Sequence, residues 1–252
     1  MCVIAFAWCA HPRWRLLLVG NRDELHARAS APLAGWVDAP GLIAGRDLVA
    51  GGSWMGVARS GRVAVVTNVR DPRASLAGGS RGLLVTDFLR GADSAAIHAV
   101  HLAVDAVRYR PFNLLLFDQA DARFVSNRPT GAAAAIAPGV HGLSNAALDE
   151  PWPKVRRTER ALADWLAHPD GFASLMDALH DENPAPDAEL PDTGVGIERE
   201  RLLSPVFVRG RHYGTRATTL IAIEHDGTGV IVERRFGPDG VALGETRQAF
   251  TA

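Results

Sequence analysis

Lysine is almost absent from this sequence, cysteine occurs only twice, and no apolar run is long enough to span a bilayer. Scarce lysine beside abundant arginine reads as a GC-rich genome and not as a functional signal. A formal net charge of -1 over 252 residues leaves no electrostatic footprint for nucleic acid or an anionic membrane. No basic region followed by a signal-like core and cleavage site opens the chain, so a cytoplasmic location is expected. Cys2 and Cys9 would stand about 23 Å apart in an extended strand, too far for a disulfide. No close-spaced Cys/His set is present, so neither a metal nor a required cofactor is expected.

What is present is concentrated at the start. Cys2 to Cys9 is an apolar strand, and Trp14 to Gly20 returns from it through the turn Ala10-His11-Pro12-Arg13. A hairpin of this shape brings the corner Asn21-Arg22-Asp23-Glu24 beside Cys2. Methionine ahead of a small residue is normally removed, which would leave Cys2 with a free α-amine and a thiol on one carbon. An α-amine titrates near ~7.7–8.0 and can take the thiol proton, so one residue can be both nucleophile and base. A free cysteine is also commonly no more than a small buried hydrophobe.

Ile4, Phe6 and Trp8 point one way from the first strand, and Val3, Ala5 and Ala7 the other. A strand apolar on both faces calls for layers above and below it. Further along, Asp47 to Val57 leads into a strand whose hairpin partner is Gly61 to Asn68. Gly51-Gly52 lacks the lysine and helix of a phosphate loop and reads as a tight turn or close backbone approach. Ser80 to Gly91 reads as a helix capped by Ser80, and Ala95 to Val107 as a second one carrying His98 and His101. Pro111 to Phe117 and Ala122 to Ser126 form a hairpin, and Val140 to Ala146 a strand ending in a polar corner. Two helices follow Pro151-Trp152-Pro153 and Asp170. Asp181 to Asp192 is an exposed loop, but residues 1–252 read as a single domain. The remainder is strand-like: Pro205 to Val208, then Arg216 to His225 and Gly229 to Phe236 around the turn Asp226-Gly227. Two groups of antiparallel strands with helices between and after them point to an α+β fold of stacked sheets covered by helices.

The Met-Cys hairpin followed by Asn21-Arg22-Asp23-Glu24 resembles the NRDE family, also called the transport and Golgi organisation protein 2 family. The likeness extends through Asp47–Gly56, Thr67-Asn68-Val69-Arg70, Ser80-Arg81-Gly82, Pro111-Phe112-Asn113-Leu114 and His141-Gly142-Leu143-Ser144-Asn145. It continues with Pro151-Trp152-Pro153-Lys154, Leu190-Pro191-Asp192-Thr193-Gly194 and Tyr213-Gly214-Thr215-Arg216. That family in turn is remotely similar to the N-terminal-nucleophile hydrolases, especially the penicillin V acylase and bile-salt hydrolase group. The resemblance implies a four-layer αββα sandwich, with Cys2 as nucleophile and its own amine as base. It implies Asp23 as the acid holding the amine or thiolate, Asn68 or Asn145 as oxyanion donor, and Arg216 stabilising negative charge. Asn21, Arg22, Glu24, Trp54 and Tyr213 become candidates for the substrate-binding wall. Gly20 stands where the hydrolase group has arginine, and Arg22 is the candidate to replace that charge.

Two functions follow from the resemblance. One is hydrolysis of an amide or thioester of a small acyl compound through a Cys2 thioester. The other, implied by the association of eukaryotic family members with lipid and coenzyme A homeostasis and haem trafficking, is a non-enzymatic carrier. Haem, lipid or acyl-CoA would then occupy the same cleft as cargo. Cys2, His26 or His141 would ligate iron, and arginines would hold propionates or phosphates.

Overall fold

The computed structural model describes residues 2–74, 77–128 and 132–251. Met1, expected from the sequence to be removed, lies outside them. The chain opens with β1 (Cys2–Trp8) and β2 (Trp14–Leu25), paired antiparallel with Cys2 opposite Arg22 and Trp8 opposite Leu16. Asn21 to Glu24 is not a corner. The strand continues through it to Leu25, because residues 213–224 near the other end of the chain supply a second ladder along it. Then β3 (Ser30–Gly35), β4 (Leu42–Asp47), β5 (Met55–Ala58) and β6 (Val63–Asn68) form an antiparallel meander. The polar stretch after Leu25 thus gives way to a strand earlier than its composition suggests.

Helices α1 (Arg81–Arg90) and α2 (Ala95–Asp105) fall where periodicity places them. Ser80, however, makes no side-chain capping bond to α1. Strands β7 (Phe112–Phe117), β8 (Ala122–Ser126) and β9 (Ala132–Ala135) extend the meander, and β10 (Gly139–Leu143) crosses to pair with β1. Next come α3 (Pro153–Ala167), α4 (Phe172–Ala178) and α5 (Ile197–Leu202), the last not foreseen. Gly171, not Asp170, occupies the N-cap of α4. The segment expected as a strand at Pro205 to Val208 is irregular. The Phe207 N–H donates to the Asp181 carbonyl and the Val208 N–H to Thr215 Oγ1, so no ladder forms, yet the side chains are buried. Finally β11 (Tyr213–Glu224), β12 (Thr228–Phe236) and β13 (Ala242–Thr251) complete the chain.

The strands make two antiparallel sheets, one ordered β10-β1-β2-β11-β12-β13 and the other β3-β4-β5-β6-β7-β8-β9. Three cores separate four layers. Ile4, Phe6 and Trp8 from one face of β1 pack between the sheets with Met55, Val65 and Leu115. Val3, Ala5 and Ala7 from its other face meet Val155, Leu162 and Leu175 of α3 and α4. On the far side, Leu84, Phe88 and Ala99 of α1 and α2 cover Val66, Leu114 and Leu116. This is the αββα sandwich, and the alternation along β1 sets its two inner boundaries. Among the described residues no helix is long and apolar enough to cross a membrane.

Asn21 is a bolt in this architecture. Its Nδ2 donates to the carbonyls of Leu179 and Val206, both at 2.9 Å, and its Oδ1 accepts from Thr218 Oγ1 at 2.6 Å. It ties β2 to the segment after α4, to the irregular 205–208 stretch and to β11. Removing the amide strands a hydroxyl and two carbonyls in a buried site, where each unsatisfied group costs about 1–3 kcal/mol. Asn21→Ala should therefore lower unfolding free energy by about 3 kcal/mol in urea denaturation. A loss of under about 1 kcal/mol would show that water replaces the bonds.

Candidate active site

At one end of the sandwich the sheets part and leave a cleft of about 690 Å³, partly open to solvent. Each side is set by a strand end: Cys2 starts β1, Arg22 to Glu24 lie late in β2, Trp54 precedes β5, and Asn68 ends β6. The start of α1, with Ser80 and Arg81, forms the remaining rim together with Arg110. Residues far apart in sequence meet here because β1, β2 and β6 all present the same end of their sheets.

The arginine expected of a hydrolase is absent at position 20 for a steric reason. A Cβ at Gly20 would lie 2.8 Å from both the Val3 carbonyl oxygen and Ile4 Cγ1. Two residues on, along the same strand face, Arg22 enters the cleft. Its guanidinium stacks 4.2 Å from the centroid of the Trp54 ring, and its Nη2 lies 3.9 Å from Glu24 Oε2. Trp54 and Arg22 also line a second cleft of about 410 Å³ that contains Arg216. The stacked pair is thus the partition between two spaces, and Arg216 stands beyond it. The Arg216 Nη1 is turned to the carbonyls of Leu25 and Arg28.

The asparagines divide their work. Asn145 is buried, and its Nδ2 donates to the Asn68 carbonyl at 2.8 Å and to Asn68 Oδ1 at 3.1 Å. It does not line the cleft. With Oδ1 of Asn68 held from behind, its Nδ2 finds no acceptor among the described residues, and Asn68 is a lining residue. Asn145 orients; Asn68 is presented. The preceding Ser144 donates from Oγ to the Cys2 carbonyl at 2.8 Å, which anchors the backbone of the candidate nucleophile.

Beneath Cys2 lies a buried charge system. Asp23 is 2% exposed and accepts from Thr215 Oγ1 at 2.7 Å, while Tyr213 donates its hydroxyl to the Asp23 carbonyl at 3.2 Å. Burial raises the Asp23 carboxyl above its ordinary range, opposed chiefly by the charge of Lys154. Burial likewise raises the Cys2 thiol. The charge of Asp23 adds to that rise, whereas Arg22 and a hydrogen bond from the Asp23 backbone N–H lower it. Lys154 is the only lysine in the chain, and among the described residues its Nζ has no hydrogen-bond partner. At 2% exposure, burial draws its pKa down from 10.5 to about 8 against the pull of Asp23. In the sequence it is only the last residue of the family motif Pro151-Trp152-Pro153-Lys154, with no role attached. Its solitary status in a chain that otherwise uses arginine was the available signal, since an ammonium shifts with burial where guanidinium stays charged.

Other candidates lie elsewhere. His141 has Nδ1 2.8 Å from Asp149 Oδ2 and Nε2 2.9 Å from the Ala137 carbonyl, so both ring nitrogens are engaged. His26 does not line the cleft. Gly51 has φ +81° in a tight turn, and a Cβ on Gly52 would lie 2.3 Å from the carbonyl carbon of Gly82, so that pair serves close backbone approach.

The four layers, the sheet orders and the cleft at the strand ends define an N-terminal-nucleophile hydrolase fold. A solved Caenorhabditis elegans N-acylethanolamine-hydrolyzing acid amidase ortholog superimposes with a TM-score of 0.52 at 9% identity, covering 87% of this chain and 92% of that one. At that identity the likeness concerns the fold. Within it, the chain belongs to the transport and Golgi organisation 2 family, whose model matches residues 1–238. The human transport and Golgi organization protein 2 homolog is 30% identical over 277 residues, spanning 98% of this chain and 97% of its own. The Drosophila melanogaster transport and Golgi organization protein 2 is 27% identical over 258 residues, spanning 90% of this chain and 89% of its own.

Two outcomes test the charge system. The unfolded chain binds the Lys154 proton more tightly than the folded one, so stability from this group rises between pH 8 and 10.5. Urea denaturation should show that rise in the wild type and lose it in Lys154→Met; parallel pH curves would refute the assignment. Because the Asp23 charge raises the thiol, Asp23→Asn should shift the pH dependence of Cys2 alkylation by iodoacetamide downward. An upward shift would place the dominant effect of Asp23 elsewhere.

Proposed function

We propose that the chain is a hydrolase that cleaves an amide or thioester of a small acyl compound through Cys2. The observation that carries this reading is the juxtaposition of Cys2 with the Asn68 amide, held from behind by Asn145, in one cleft above Asp23. The amidase named among the fold relatives hydrolyses amides, which motivates the same bond class here. With Met1 removed, the Cys2 amine is the base closest to its own thiol. Burial disfavours a resting thiolate at Cys2, so the proton passes to the amine as attack occurs.

The Cys2 sulfur attacks the acyl carbon while its α-amine takes the thiol proton. Negative charge develops on the acyl oxygen, where Asn68 Nδ2 donates a hydrogen bond. Collapse breaks the bond to the leaving amine or thiolate, which receives the proton from the ammonium, and leaves an acyl thioester on Cys2. Water then attacks that thioester, giving up a proton to the amine, and the acid departs as the thiol is restored. Asp23 stabilises the transient ammonium, and Lys154 offsets the cost of the Asp23 charge in a buried site.

A panel of small acyl amides and acyl thioesters, assayed by product release, tests the reading. Cys2→Ser should abolish turnover. Asn68→Ala should lower kcat about 10²–10³-fold, the usual effect of removing one oxyanion donor, while leaving Cys2 alkylation by iodoacetamide at its wild-type rate. Turnover that persists in Cys2→Ser would overturn the assignment.

A further inference from the structure

The cleft holds more positive charge than its own carboxylates neutralise. Arg22, Arg28, Arg81 and Arg110 line it against Asp23, Glu24 and Asp47. Arg28 is committed to Asp47, with Nη2 at 2.7 Å from Oδ2, and Glu24 lies between Arg22 and Arg28 at 3.9 and 4.0 Å. Asp23 is turned inward to Thr215. Among the described residues neither Arg81 nor Arg110 has a carboxylate within ion-pair distance; Arg81 has only the Pro111 carbonyl, 3.2 Å from its Nη1.

Both guanidinium groups line the same rim of the cleft. Burial lowers the pKa of Arg81, the charge of Arg110 lowers it further, and a thiolate at Cys2 would raise it. Arg81 is half-buried with a second cation on the same rim and no carboxylate within ion-pair distance, a placement that costs free energy unless a bound anion supplies negative charge. Deeper in the same cleft, Arg22 has a side chain only 8% exposed, and its Nη1 has no acceptor among the described residues. The α1 N-terminus reinforces the field, since Ser80 leaves it without a side-chain cap and lines the cleft itself.

We propose that the compound acted on at Cys2 carries a carboxylate or phosphate group, bound between Arg81 and Arg110 at the α1 end of the cleft. This rests on the hydrolase reading for the identity of the reacting atom but not for the anion site. Guanidinium forks match planar carboxylate and tetrahedral phosphate equally well. The reacting carbonyl then lies toward Cys2 and Asn68, and the anion anchors the other end. The substrate class is an acyl amide or thioester with an acidic substituent, on either the acyl or the leaving side.

Two arms test this with the full chain. In the first, Cys2 is alkylated with iodoacetate and with iodoacetamide, which are close in size and differ in charge, and adducts are read by intact mass. The ratio of the two rates should exceed that for free cysteine by roughly tenfold, and Arg110→Gln, an exposed position, should lower it several-fold, with Arg22 and Arg81 retaining part of the preference. In the second arm, the melting temperature of Cys2→Ser is titrated with inorganic phosphate and with acetate at constant ionic strength. A saturable rise that is lost in Cys2→Ser/Arg110→Gln supports the anion site, and the anion that saturates at lower concentration identifies the preferred group. A charge-blind alkylation ratio, together with no saturable rise or one unaffected by Arg110→Gln, overturns it. If neither electrophile modifies Cys2 but phosphate or acetate still saturates, the hydrolase reading falls and the anion site stands.

Discussion

The pairing of Cys2 with Arg22 across the first hairpin is the contact from which the rest of the site follows. Once that register is set, Arg22 enters the cleft beside the thiol, Asp23 turns to the buried side beneath it, and Asn21 is used up as a structural tie. The β11 ladder then holds Asn21 to Glu24 from the other edge, with a bulge between Thr215 and Ala217. Thr215 is thereby placed on Asp23 and Arg216 beyond the Arg22–Trp54 partition. A slip of one residue would exchange every one of these roles, because strand side chains alternate faces.

Burial supplies the second constraint. Asp23, Lys154, Arg70 and Glu200 are all charged groups in the interior, the last two joined as an ion pair, with Arg70 lying 4.7 Å above the ring of Trp152. Such groups are seldom the cheapest way to fill space. Their presence beneath a half-buried thiol is understandable if the site must carry a transient positive charge without water. A pre-formed thiolate would be poorly tolerated there, so a base carried on the nucleophile itself suits the environment better than a distant one.

Much of the fold could be read from the sequence because its cores are written as alternation. The two faces of β1 sort cleanly into two cores, and the stripes of α1 and α3 are regular. Of the strands that escaped notice, β4 is buried along most of its length, whereas β3 and β13 bury little. In β13 Phe250 is well buried while most of the strand is exposed, and in β3 Leu33 stands alone between exposed neighbours. Edge strands are held by backbone ladders, which leave a weak trace in side-chain pattern. For the site, Cys2, Asp23, Asn68, Arg22 and Trp54 could be gathered from motifs. That Asn145 works through Asn68, and that Lys154 sits under Asp23, could not. Both depend on contacts between distant segments that spacing along the chain does not encode.

The most direct test of the account is intact-mass analysis of active protein treated briefly with iodoacetamide, followed by peptide mapping. Cys9 is exposed and Cys2 only partly so, which makes Cys9 an internal control for simple accessibility. The account predicts a chain that has lost Met1 and carries its first adduct on Cys2, reversing the order that exposure alone would give. Active protein that retains Met1, or modification of Cys9 ahead of Cys2, would contradict the claim that this fold presents an N-terminal nucleophile.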